Sequence, residues 1–228
     1  GEMHTGKKGT ATYEVPANTE RLYLCVLAAP DKYNRNAWDD DETNDEQWPY
    51  RVKFSGTDLL GNVTIPEGDP TDLETSLEVS LDASSESYPL HTFNLLNDGV
   101  MEKIAKAFKL QPSEIASATL ETGVVKAEGF TGPADGKVAV GLTNPDGKVS
   151  YAYSANGIGF WIAADGTASS WGDAPIYYEY DAVGYGLTVG HNPGHSEKGK
   201  TYTIKPTMVY NKGGKLHKAV ITIKMKFA

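Results

Sequence analysis

From about residue 119 to its end, the chain alternates apolar and polar side chains in short runs, and each run stops at a turn signal. Pro133-Ala134-Asp135-Gly136, Asn144-Pro145-Asp146-Gly147, Ala164-Asp165-Gly166 and Lys212-Gly213-Gly214 are the punctuation. Between them lie Val138/Val140/Leu142, Val149/Tyr151/Tyr153, Ile176/Tyr178/Tyr180 and Tyr202/Ile204. A period of two sends successive side chains to opposite faces of a strand, and Asp-Gly or Gly-Gly reverses the chain within a few residues. The last run is the clearest. Ala219, Ile221, Ile223, Met225 and Phe227 face one way, and Thr222, Lys224 and Lys226 the other. That pattern predicts a strand with one dry and one wet face. Turns spaced roughly 10 to 15 residues apart leave no room for the helical crossovers of a parallel sheet, so the expected class is a mainly β sandwich or jelly roll.

The earlier part of the chain reads similarly. Thr10 to Val15 is β-prone, and Arg21 to Ala28 is apolar on both faces, as a central strand would be. Cys25 sits inside that run and reads as a core thiol; as the chain's one cysteine it has no partner for an internal disulfide. Gln47 to Phe54, Leu59 to Ile65 and Leu73 to Leu81 are further strand candidates. One clear helix is expected over residues 98–109, where Val100, Ile104, Ala107 and Phe108 recur at helical spacing after Asn97 and Asp98. A short second helical turn is expected at Pro112-Ser113-Glu114. The small, polar Asp82-Ala83-Ser84-Ser85-Glu86-Ser87 suggests a boundary. The expectation is therefore two antiparallel β-sandwich or jelly-roll-like units, residues 1–82 and 83–228, with a helix packed on the second.

Charge changes at the same place. Residues 1–82 hold 17 acidic and 7 basic side chains, and the remainder 13 and 14, so the net charge of −9 lies in the first part. A field of that sign repels nucleic acid and anionic membranes. No apolar run approaches the roughly 18 residues that a spanning helix needs.

Three constellations bear on chemistry. The acidic segment Trp38-Asp39-Asp40-Asp41-Glu42-Thr43-Asn44-Asp45-Glu46-Gln47-Trp48 reads first as a solvated loop. Its alternative is a calcium loop with Asp39, Asp41 and Asp45 as ligands, since a hard cation wants several oxygens on one short loop. Tyr50 stands where such a loop would need its closing carboxylate. His191 and His195 are four apart, but Pro193-Gly194 between them forbids the helix on which that spacing would bind zinc. No nucleophile elbow and no phosphate loop is present. The third constellation is aromatic. Residues 151–185 contain Tyr151, Tyr153, Phe160, Trp161, Trp171, Tyr177, Tyr178, Tyr180 and Tyr185. Sugar rings stack on such side chains, which give large contact area at low entropic cost. Trp161 and Trp171 flank the Asp165-Gly166 turn and are expected roughly opposite each other, with Tyr178 as a neighbour from the next strand. Trp38 and Trp48 are further candidates for sugar contact. The competing reading is that these aromatics fill a core.

The segments Gly159-Phe160-Trp161-Ile162-Ala163-Ala164-Asp165-Gly166, Trp171-Gly172, Gly190-His191-Asn192-Pro193-Gly194 and Thr207-Met208-Val209-Tyr210 resemble an uncharacterised secreted β-sandwich domain family of gut Bacteroidota. The resemblance spans about residues 78–228, with His191 where that family tends to have Gln. Asn44 through Phe54 is similar to the C-terminal β region of a second uncharacterised secreted family. Both occur among glycan-foraging proteins. The resemblance implies carbohydrate handling at the cell surface or in the periplasm and brings no catalytic residues. The function expected is non-catalytic carbohydrate binding. The alternatives are a structural or adhesion module that positions a partner domain and, third, a glycan-active hydrolase.

Overall fold

The computed structural model describes residues 63–120, 124–152 and 158–228. The chain divides into two compact units, Gly1–Ser55 and Gly56–Ala228, and every described residue belongs to the second. The strands expected before residue 55, Cys25, Trp38, Trp48 and the calcium candidates Asp39, Asp41 and Asp45 lie outside the described residues.

The second unit is mainly β and sandwich-like. Its elements in chain order are β1 (Leu73–Leu81), β2 (Pro89–Asn94), α1 (Val100–Phe108), α2 (Pro112–Leu120), β3 (Val124–Ala127), β4 (Phe130–Pro133), β5 (Val138–Thr143), β6 (Val149–Tyr151), β7 (Ile158–Ile162), β8 (Ala168–Ser169), β9 (Ile176–Asp181), β10 (Gly186–His191), β11 (Thr201–Ile204), β12 (Pro206–Lys212) and β13 (Lys215–Phe227). One sheet, here sheet A, has the order β1-β13-β12-β5-β6, with β11 also on β13. The other, sheet B, has the order β2-β10-β9-β7-β8, and β3–β4 is a separate hairpin.

The long β13 organises sheet A. Its first half pairs with β12 across the Gly213-Gly214 turn, and its second half pairs with β11. Its other edge pairs in parallel with β1, from Leu73↔Ala219 to Leu81↔Phe227. That pairing corrects the boundary expected near residue 82, because β1 belongs to the same sheet as the C-terminal strand. The polar segment that suggested a linker is a tight turn, in which the Asp82 carboxylate accepts the Ser84 amide at 2.8 Å and its hydroxyl at 2.7 Å. Small polar residues make turns and linkers alike. Among the residues expected as a strand from Leu59 to Ile65, Val63–Ile65 are described and are irregular.

One apolar core lies against both sheets. Val138, Val140, Leu142, Met208, Ile221, Ile223, Met225 and Phe227 come from sheet A, and Phe93, Ile162, Ile176, Tyr178, Leu187 and Val189 from sheet B. Helix α1 covers part of it with Val100, Ile104 and Phe108, all buried as its spacing predicted, and Phe108 packs 5.5 Å from the Tyr210 ring. Two helices form rather than one, and the second starts at Pro112. There the Glu114 carboxylate accepts the Gln111 amide at 2.6 Å, closing the first turn. A smaller cluster of Ala139, Tyr151 and Val209 lies on the opposite face of sheet A, with Val124 of β3 packed on it. Among the described residues, no helix is long and apolar enough to cross a membrane.

Candidate functional site

The alternation of sheet B decides which aromatic side chains meet solvent. On β9, Ile176, Tyr178 and Tyr180 point into the core, so Tyr177, Glu179 and Asp181 lie on the other face, where Glu179 and Asp181 are exposed and Tyr177 is itself buried, 6% exposed. On β7, Ile158, Phe160 and Ile162 pack on the core, which turns Trp161 outward. On β10, the alternation with inward Leu187 and Val189 puts Thr188 and Gly190 on the outer face, Thr188 half-buried and Gly190 buried. Cross-strand pairing then aligns Gly190↔Tyr177, Tyr177↔Trp161 and Trp161↔Ser169 in one row. The next outer row is Thr92↔Thr188, Thr188↔Glu179.

The first row is an aromatic strip. The Trp161 and Tyr177 rings are 4.8 Å apart and tilted, and Tyr88, just before β2, meets Trp161 edge-on at 6.2 Å. Trp161 is half-buried and Tyr88 is 41% exposed. Gly190 makes room for the Tyr177 ring. A Cβ there would stand 2.0 Å from the Tyr88 carbonyl oxygen and 2.5 Å from the Tyr177 ring, so only glycine lets that ring lie across β10. Beside the strip, the Thr92 and Thr188 hydroxyls are 2.8 Å apart, and Glu179 and Asp181 are exposed. Burial, and then the charge of Glu179, pushes the Tyr177 phenol up to about 12, so it stays protonated at neutral pH.

Trp171 lies at the same end of sheet B but not in the strip. The residue opposite Trp161 is Ser169, and Trp171 falls two residues further on, in the turn before β9. It is 58% exposed. The expected face-to-face placement of the two tryptophans fails because β8 is only two residues long and the chain turns away before reaching Trp171. Asn192 holds the turn in place. Its side-chain amide donates to the Trp171 carbonyl at 3.1 Å and lies 2.6 Å from His195 Nδ1, and its own N–H donates to the Pro175 carbonyl at 3.0 Å.

Tyr178 is a core residue, which corrects its assignment as a sugar contact. It is 0% exposed, and its hydroxyl donates to the Gly141 carbonyl of sheet A at 2.7 Å, a hydrogen bond from one sheet to the other. Burial raises its phenol far above the ordinary tyrosine range. Tyr177 and Glu179 are the outer-face residues that sequence reasoning missed. The signal was present, since an inward Ile176/Tyr178/Tyr180 run requires that the residues between them face out.

His191 is an anchor rather than a ligand. It is fully buried, its ring stacks on Phe227 at 5.7 Å, and its Nε2 lies 3.0 Å from the Ser85 carbonyl. A carbonyl can only accept, so Nε2 carries the hydrogen, and Nδ1 accepts the Ser196 hydroxyl at 2.6 Å. Among the described residues, no three His, Cys, Asp or Glu side chains converge as a metal site. An open depression of about 520 Å³ lies at two hairpin turns, lined by residues that include Asn144, Asp146, Lys148, Asp165 and Thr167. Asp146 and Asp165 are both engaged there in closing their own turns, so the depression offers no free carboxylate cluster.

The arrangement on sheet B can hold a flat, hydroxylated molecule by stacking and hydrogen bonding. No curated protein and no solved structure matches the chain. Residues 1–61 are similar to a family described as Family of unknown function (DUF6055). Residues 87–215, more than half the chain and including every strand of sheet B, match the family described as Domain of unknown function (DUF4859), and the chain belongs to that family.

Proposed function

We propose that the protein is a non-catalytic carbohydrate-binding module whose ligand lies on the outer face of sheet B. The observation that carries the reading is the pair of solvent-facing rings Trp161 and Tyr88, with Trp161 backed by the buried Tyr177, beside the half-buried Thr188 and the exposed Glu179 and Asp181. Aromatic planes take the C–H faces of a sugar, while hydroxyls and carboxylates accept or donate hydrogen bonds at its rim. The same geometry argues against hydrolysis. Glycosidase carboxylates flank the scissile bond from two sides of a cleft, whereas Glu179 and Asp181 project in the same direction from one strand. The resemblance to secreted families of glycan-foraging bacteria supports a secreted, periplasmic or cell-surface location.

Affinity electrophoresis of the chain through gels containing soluble polysaccharides tests the proposal. At least one polysaccharide should retard the protein, and Trp161→Ala should abolish the retardation. Equal mobility of both proteins in every gel would overturn it.

A further inference from the structure

The two sheets differ in charge chemistry. Residues 54–102 contain no Lys or Arg, and neither do residues 149–197. Every strand of sheet B falls within those two stretches. Of sheet A, β1 and β6 also fall within them, but β12 and β13 carry Lys212, Lys215, Lys218, Lys224 and Lys226. The outer face of sheet B therefore carries the exposed carboxylates Glu179 and Asp181 and no lysine or arginine from any of its own strands.

From this we infer that the ligand is a glycan free of carboxylate, sulfate and phosphate groups, an inference that rests on the carbohydrate-binding reading of the same face. An acidic sugar lying on Trp161 would bring its charge onto the face that carries Glu179 and Asp181. Proteins that hold acidic groups supply a forked guanidinium or an ammonium for them, and none stands on these strands. Like charges set against each other at an interface exclude a partner. The hydroxyls of an uncharged sugar can instead donate to the Glu179 carboxylate and exchange hydrogen bonds with Thr188.

The test is a glycan array probed with the full chain at pH 8, above the ordinary histidine range, at low and at high salt. Its probes are neutral polysaccharides (glucans, mannans, xylans and galactans), polyuronates, sulfated galactans and a carboxymethylated form of each neutral polymer. The expected result is Trp161-dependent binding to a neutral polymer, insensitive to salt, and at least about tenfold weaker binding to its carboxymethylated form, because only the second interaction involves ligand charge. Glu179→Lys should narrow that gap. Trp161-dependent binding to an acidic polymer as strong as to any neutral one would overturn the inference and leave the platform standing. An absence of Trp161-dependent binding to every polymer would remove the platform itself, and the inference with it.

Discussion

Tyr177 and Tyr178 are adjacent in sequence and opposite in role, so they separate binding from stability. Tyr178→Phe deletes one hydrogen bond between the sheets and should cost about 1 kcal/mol in urea unfolding while leaving glycan retention unchanged. Tyr178→Ala opens a cavity in the core and should cost about 3–5 kcal/mol. Trp161→Ala should abolish retention at a smaller stability cost, since the ring is only half-buried. Gly190→Ala is the most pointed test of the strip's shape. The added methyl must displace Tyr177 or the Tyr88 backbone, so it should cost about 1–3 kcal/mol and weaken binding without removing any ring. The site was partly legible in the sequence. Trp161 is legible as a candidate, but the neighbour expected for it, Tyr178, lies on the inner face and Tyr177 stands opposite Trp161 instead. What could not be read was that β8 ends after two residues, because that depends on where Asn192 ties down the turn.

At the scale of elements, the turns and α1 follow directly from local sequence. The hairpin between β7 and β8 closes with the Ala163 N–H on the Thr167 carbonyl at 2.9 Å and Gly166 at φ +91°. Gly166→Ala should cost about 1–2 kcal/mol, because that backbone region is strained for any residue with a Cβ. In α1, Ile104→Ala should cost about 2–5 kcal/mol, as expected of a side chain that is 0% exposed. The turn aspartates make a pH prediction. Hydrogen bonds from the Ser84 hydroxyl and amide lower the Asp82 carboxyl, the Lys148 amide lowers Asp146, and the Thr167 hydroxyl and amide lower Asp165. A group with a lowered folded pKa contributes stability above its unfolded value and loses it as pH falls through the folded one. The melting temperature should therefore be flat from neutral pH down to about 5 and fall below about 4. A melting curve unchanged down to about pH 3 would show that these turns contribute nothing. The parallel pairing of β1 with β13 was not legible, because a short alternating strand carries no mark of which distant partner it meets.

At the scale of the whole molecule, two levels of organisation are at stake. The chain's second unit begins at Gly56. A fragment of residues 56–228 should therefore unfold cooperatively. One of residues 83–228 lacks β1, leaves β13 with an open edge and uncovers the core beside Leu81. It should aggregate or melt far lower. Equal melting temperatures for the two fragments would restore the boundary at residue 82. Charge organisation is visible in sequence as two cation-free stretches, but only the fold shows that every strand of sheet B comes from them, together with β1 and β6 of sheet A. The central claim is that the outer face of sheet B binds carbohydrate. Its most direct test is chemical-shift mapping of the isotope-labelled chain titrated with an oligosaccharide cut from the best-retained polysaccharide. The account predicts that the Trp161 indole N–H and the amides of Tyr177, Thr188, Glu179 and Gly190 shift together, while those of Lys218, Thr222 and Lys224 on sheet A stay in place. Shifts confined to sheet A, or none on the strip at saturating ligand, would contradict it.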